Sequence, residues 1–289
     1  MANTGINRST ANVALPKEVS DEIWAATVES SAIMELARQL PLPGTGVTIQ
    51  TITGEPEADW VNESAAKPVS THTFGKKGLT PYKLAVIEPF SMEFTRDVDA
   101  LYAECVRRLP YALAKKFDQT VLGTTAPGEN FDTLGDCTKQ TIKGDAYAAF
   151  IAADAAISAA DGIMTGVALA PQGKSIVLAA RTTDGLPLFT PGVGSNTVGN
   201  ILGATTTVKK SLFVSGSPNI VGIAGDFDDA VYGTVEGVQM SISDQATLTT
   251  SDGTINLWQQ NMVAVRYEIE VGFAVKDKAE FILLTDEAA

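Results

Sequence analysis

The chain has 289 residues, 45% of them apolar, with 21 Lys and Arg against 34 Asp and Glu and a formal net charge of −13. The apolar fraction excludes disorder for most of the chain, and the length suggests one large domain or two small ones. The acidic balance argues against a surface that grips nucleic acid, which needs clustered Lys and Arg, though an acidic inner wall would let enclosed DNA slide.

Neither Cys105 nor Cys137 stands in a ligand-spaced pattern, which argues against a disulfide framework or a zinc site and makes a reducing cytosol the default compartment. Residues 1–20 carry no apolar signal region, and no run of ~18 apolar residues occurs, so no spanning helix and no membrane partner are expected.

In chain order, residues 1–20 are polar and read as an arm. A short helix is expected from Pro16 to Leu40, its apolar stripe interrupted at Ser30 and Ser31. Pro41, Pro43, Gly44 and Gly46 end it. Val47 to Ile52 has strand composition, and Leu79 to Phe90 alternates at period two. With the polar stretch between them they predict an extended hairpin over 47–88, too poor in core to stand alone. Residues 91–122 carry the clearest helical periodicity, through Leu109, Leu113, Phe117 and Val121, with Pro110 inside and Gly123 as the stop. Such a helix spans about 48 Å.

A short strand is expected near Thr141, an Ala-rich helix at 145–161, a strand at Val167–Ala170 and a helix from Ser175 to Thr182. A long surface loop is expected at 184–206. Strands follow at Ser211–Val214 and Asn219–Ala224. Asp226 to Asp229 reads as a turn into a brief helical segment, without the glycine and closing glutamate that a calcium loop needs. A strand at Val238–Ser243, a hairpin turn at Asp252-Gly253, and a closing strand pair at Met262–Val275 and Ala279–Leu284 complete the order. The mixed order predicts an α+β fold.

This order of parts resembles the tailed-bacteriophage major capsid family, with the Hong Kong ninety-seven capsid fold. The resemblance is carried by EADWVNESAAKPVSTHTFGKKGLTPYKLAVIEPFSMEFTRD, KFDQTVLGT, GIAGDFDDAVYGTVEGVQMSIS and NMVAVRYEIEVGFAVKDKAEFILL, taken together and in order. It implies an arm and short helix at 1–40, an extended hairpin loop at 41–90, and a spine helix with the start of a peripheral domain at 91–144. An axial domain follows at 145–248, and closing peripheral strands at 249–289. It further implies hexamers and pentamers closing an icosahedral head around double-stranded DNA, located in the virion and assembled in the host bacterial cytoplasm. The partners implied are other copies of the chain, a portal, decoration proteins and a separate scaffolding protein or none, since about 40 residues precede the hairpin.

Enzyme signatures are weak. His72 is the only histidine, so a His-based triad or multi-His metal site is not available. Gly192-Val193-Gly194 lacks the lysine and helix of a phosphate loop. No cofactor or metal is expected. Some members of the resembled family join a loop lysine to a neighbour's asparagine, assisted by a glutamate. The positions matching that pattern are Lys67, Asn261 and Glu268, with Lys76 and Lys77 as rival lysines. The competing reading is a solvated lysine, an asparagine at a strand start and a structural glutamate. Trp60, on a hairpin too small to bury it, is the interface candidate, whereas Trp24 and Trp258 are expected in the core. The alternatives to a phage head are an encapsulin-like nanocompartment, told apart by nucleic acid inside the particle, and a soluble α+β enzyme or binding domain, told apart by a stable monomer.

Overall fold

The computed structural model describes residues 27, 30–54, 56–62, 67, 69–93, 99–181, 189, 200–250 and 253–287. The arm at 1–20, Trp24, the glycines at 192 and 194 and most of the 184–206 loop lie outside the described residues.

Thr27 and Ser30 are helical, and the helical path is broken at Ser31, where a side chain starts a new helix. Ser31 is extended (φ −91°, ψ 130°) and its hydroxyl accepts from the Met34 N–H, so α1 (Ala32–Leu36) starts at the serine pair that interrupts the apolar stripe. The helix does not reach Leu40. It ends at Leu36, and Arg38–Pro41 is a strand, β1, because these residues pair in parallel with Val231–Thr234.

Strand β2 (Val47–Gly54) pairs with β3 (Thr73–Leu79) as a two-stranded ribbon. The partner expected from sequence, Leu79 to Phe90, divides at Thr80-Pro81. Beyond that break, β4 (Tyr82–Ser91) leaves the ribbon and pairs along ten residues with β13 (Met262–Val275). Proline has no N–H for a ladder, so the register breaks there.

Strand β13 organises the first sheet. β9 (Ala230–Thr234) and β10 (Gln239–Ser243) follow one another along one edge, β4 lies on the other, and β1 extends the sheet beyond β9. Residues 265, 267, 269, 271, 273 and 275 share the buried face, as period two requires. They pack beneath α2 (Asp99–Val121), whose Leu113, Phe117 and Val121 are buried. Phe117, Phe131 and Phe273 form an aromatic triangle with centroids 6.2–6.4 Å apart. Pro110 sits buried inside α2, which runs on through it to Val121.

The second sheet has the order β5 (Thr138–Thr141), β14 (Phe281–Thr285), β8 (Ile220–Gly225), β6 (Gly166–Leu169), β7 (Thr205–Val208). One face is covered by the Ala-rich α3 (Ala146–Ala159), capped by Asp145, and by α4 (Pro171–Ala179). The other face shares the core of the first sheet through Ala168, Ile223, Phe281 and Leu283. Burial from both sides explains why β6, β8 and β14 are buried at every residue and read as unbroken apolar runs.

Two sequence expectations change here. The closing strands β13 and β14 do not pair with each other, because β14 crosses into the second sheet. By pairing, β9 and β10 belong with β13, and β14 belongs with β8. Ser211 lies in a 3-10 turn (Lys210–Leu212) packed on α2, not in a strand, with its hydroxyl 3.3 Å from the Ser30 carbonyl. Strand β11 (Thr247–Thr250) pairs with β12 (Gly253–Asn256) as the Asp252-Gly253 signal predicts.

Candidate functional site

The features that a single subunit leaves unsatisfied are surfaces. The ribbon is anchored at its base and bare at its end. Leu79 is fully buried with Leu42, Val231 and Ala274 in a small core of its own. Lys77 forms an ion pair with Asp132 at 2.8 Å and donates to the Val275 carbonyl. Gly78 is held so closely that a Cβ there would stand 2.6 Å from Asn130 Cγ. Gly46 takes φ +79° beside the Leu79 carbonyl, a turn that an L side chain would strain.

Away from that base, Trp60 is 104% exposed, Val69 92% and Phe74 71%. Single exposed apolar side chains are ordinary, but an indole bare on every side is not. Burying an aromatic side chain removes roughly 200 Å² from water, worth about 5 kcal/mol at about 25 cal/mol per Å² before ordering costs. Trp258, expected in the core, is 75% exposed. It lies just beyond β12, in the turn that leads into β13, where the local sequence does not reveal which way the indole points. Ile151 (47%) is exposed on α3, and Ile163 (72%) is exposed in the connection from α3 to β6.

The residues matched to the cross-linking pattern are not brought together within one chain. Lys67 is exposed in the stretch between the ribbon strands. Asn261 has φ +54° immediately before β13 and is exposed. Its amide donates to Glu93 Oε1 at 2.7 Å, and its carbonyl accepts from the Met92 N–H at 3.0 Å. Glu268 lies seven residues further along continuous strand, on the outer face, opposite Ala85 and Gln239 and 3.4 Å from Arg266. At ~3.3 Å per residue that is roughly 23 Å from Asn261. An asparagine, a glutamate and a lysine so placed meet only if different subunits supply them. The rival lysines differ from one another: Lys77 is committed to Asp132, and Lys76 is exposed on the ribbon.

Asp226, weighed as a cation ligand, is committed to capping. Its oxygens accept from the Ile163 N–H (3.0 Å), the Asp228 N–H (3.1 Å) and the Thr165 hydroxyl (3.3 Å). No group of three His, Cys, Asp or Glu side chains suited to a metal ion occurs among the described residues. Cys137 is buried, and that burial pushes its thiol up to about 11, away from nucleophilic use.

Sequence reasoning missed two buried carboxyl groups, Asp118 on α2 and Glu280 before β14. Asp118 looks like any polar residue of an amphipathic helix. Only the approach of Ser31 and Ser211 from distant parts of the chain reveals a buried cluster.

The chain is similar along nearly its whole length to proteins of phage shells. It is 29% identical to the probable major capsid protein of Mycobacterium phage L5, covering 94% of this chain and 89% of that one. It is 26% identical to the major capsid protein of Staphylococcus phage 80alpha, covering 93% and 84%. A solved structure from Mycobacterium phage Adephagia superposes with a TM-score of 0.74 at 20% identity, covering 90% and 91%. A chain from the capsid of an empty GTA particle does so at 0.63 and 13% identity, covering 90% of each. The mixed α+β fold is therefore shared with these structures. Residues 11–286 match the phage capsid family as a whole, and the chain belongs to that family.

Proposed function

We propose that this chain is the major shell subunit of a phage head, assembling with copies of itself into hexamers and pentamers that enclose double-stranded DNA. Membership of a capsid family and relatives named major capsid proteins support that role. The observation that carries it is the ribbon: anchored firmly at Leu79 and Lys77, yet presenting Trp60, Val69 and Phe74 to water. In a monomer this arrangement wastes apolar surface. In a lattice, where the ribbon lies on the neighbouring subunit, the same surface becomes contact area.

The net charge of −13 suits a wall that contains DNA without binding its sequence. Portal, decoration and scaffolding proteins are the further partners of such a shell. The ribbon and first sheet would form its peripheral part, and the second sheet with α3 and α4 its axial part. The location is the virion, after assembly in the host bacterial cytoplasm.

Electron microscopy and sedimentation of the purified protein test this reading. Closed shells are expected, with nucleic acid inside particles taken from infected cells. A stable 30.3 kDa monomer under assembly conditions would overturn it. Shells holding a protein cargo and no nucleic acid would favour a nanocompartment instead.

A further inference from the structure

The chain passes between its two sheets twice in adjacent segments. One crossing runs from β8 through Asp226 and the 3-10 turn Phe227–Asp229 into β9. The other runs from β13 through Lys276, Asp277 and the 3-10 turn Lys278–Glu280 into β14. The two crossings lie side by side. The Asp226 N–H donates to the Glu280 carbonyl at 3.2 Å, and the Lys276 N–H donates to the Asp229 carbonyl at 3.0 Å. A change in the angle between the sheets would strain these bonds together with the core that the sheets share.

Glu280 stands at the centre of this double crossing. It is 3% exposed, and its Oε2 is buried without a hydrogen-bond partner. The charges around it are mostly of its own sign. Asp229 and Asp226 come from the first crossing and Asp277 from its own, against Lys276. Lys276 is already paired with Asp229 at 3.0 Å. Gly162, after α3, lies against the Glu280 side chain, where a Cβ would stand 3.0 Å from Cγ. α3 itself carries Asp154 and Tyr147, and Asp161 follows it. From the loop before β5, the Cys137 thiol donates to the Lys278 carbonyl at 3.3 Å, with Asp136 beside it. Among the described residues the buried oxygen has no hydrogen-bond partner, and Lys276, the cation that opposes these carboxylates, is held by Asp229.

We propose that Glu280 is a proton-controlled latch on the joint between the two sheets: its neutral acid holds the paired crossings together, and its carboxylate loosens them. The chemistry follows from the surroundings. A neutral carboxylic acid fits a buried position beside several carboxylates, whereas an ion there has Oε2 shielded and unpartnered. Burial, then the neighbouring Asp229 charge, push the Glu280 carboxyl up to about 7. The folded joint therefore holds the proton more tightly than an opened one does. The proton's contribution to closure is fully present below the ordinary carboxylate range and is lost as pH rises through about 7.

Hydrogen exchange on the full chain, corrected for the intrinsic pH dependence of exchange, reads this directly at the Asp226 and Lys276 amides. Their protection should fall about tenfold between about pH 6 and about pH 8 in the native sequence. In Glu280→Gln, which keeps the shape and has no proton to lose, protection should stay level over that range. In Asp277→Asn, which keeps the cap on Ala279 but removes one negative neighbour, the midpoint should move to lower pH. Protection that falls equally in Glu280→Gln, that does not fall in the native chain, or whose midpoint is unmoved by Asp277→Asn would overturn the latch. These readouts use one subunit's amides, so their failure leaves the shell reading untouched.

Discussion

Ser31 Oγ donates to Asp118 Oδ1 at 2.5 Å across 87 residues of sequence, and both side chains are fully buried. The same hydroxyl accepts from the Met34 N–H at 3.1 Å, and Asp118 Oδ2 accepts from the Ala32 N–H at 3.0 Å. Ser211 adds a further hydrogen bond to the carboxyl group. One carboxyl group thus ties the start of α1, the long helix α2 and the turn before β8.

Ser31→Ala removes a helix cap and a buried donor together. A loss of about 2 kcal/mol is expected, since caps contribute about 1 kcal/mol and an abandoned buried acceptor costs about as much again. Chemical denaturation of the native chain and the variant checks this. A change within error would mean that the carboxyl group is satisfied without Ser31.

Asp118 should make the fold more stable in acid, against the usual trend of carboxylates. Burial raises its carboxyl to about 6, despite the hydrogen bonds from Ser211, Ser31, Ala32 and Ile33, which lower it. The folded chain therefore keeps a proton that the unfolded chain has released. This contribution is fully present below the ordinary carboxylate range and is lost as pH rises to about 6 and beyond. Asp118→Asn removes that dependence. The stability difference between native chain and variant should shift in favour of the native chain by about 2 kcal/mol from about pH 7 to about pH 4. A difference independent of pH would show the carboxyl group ionised in the fold.

Trp60→Ala should leave the thermal unfolding of the isolated subunit unchanged, because the indole touches too little of its own chain to support it. Particle yield, or resistance of particles to denaturant, should fall severalfold, as expected of an aromatic anchor worth 2 kcal/mol or more, roughly, at an interface. Unchanged particles would remove Trp60 from the contact.

Boiled particles should run as a single 30.3 kDa band on a denaturing gel. A cross-link requires the Lys67 amine to attack the Asn261 side-chain carbonyl, ammonia to leave and a carboxylate such as Glu268 to take the amine's proton. In the subunit, Asn261 is held instead by Glu93, and Glu268 is partnered by Arg266. A ladder of multiples would show that assembly rearranges all three. Lys67→Arg should then abolish the ladder without preventing assembly.

Local pattern carried much of this protein. Period two along Met262–Val275, helical spacing through Leu113, Phe117 and Val121, the alanines of 146–159 and the Asp252-Gly253 signal each determine an element, because each depends on neighbours in the chain. The bare Trp60 was legible too, since a two-stranded ribbon has no interior. Tertiary structure alone decided that Tyr82–Ser91 leaves the ribbon for Met262–Val275, and that Phe281–Thr285 crosses to the second sheet. It also decided that Ser31 and Ser211 meet Asp118, and that Glu280 is sealed between the crossings. The physical reason is the same throughout. Periodicity says which face of an element is apolar, but not which of several apolar faces will cover it. A carboxyl group's protonation depends on that cover, so the two buried acids emerge only when the sheets are packed together.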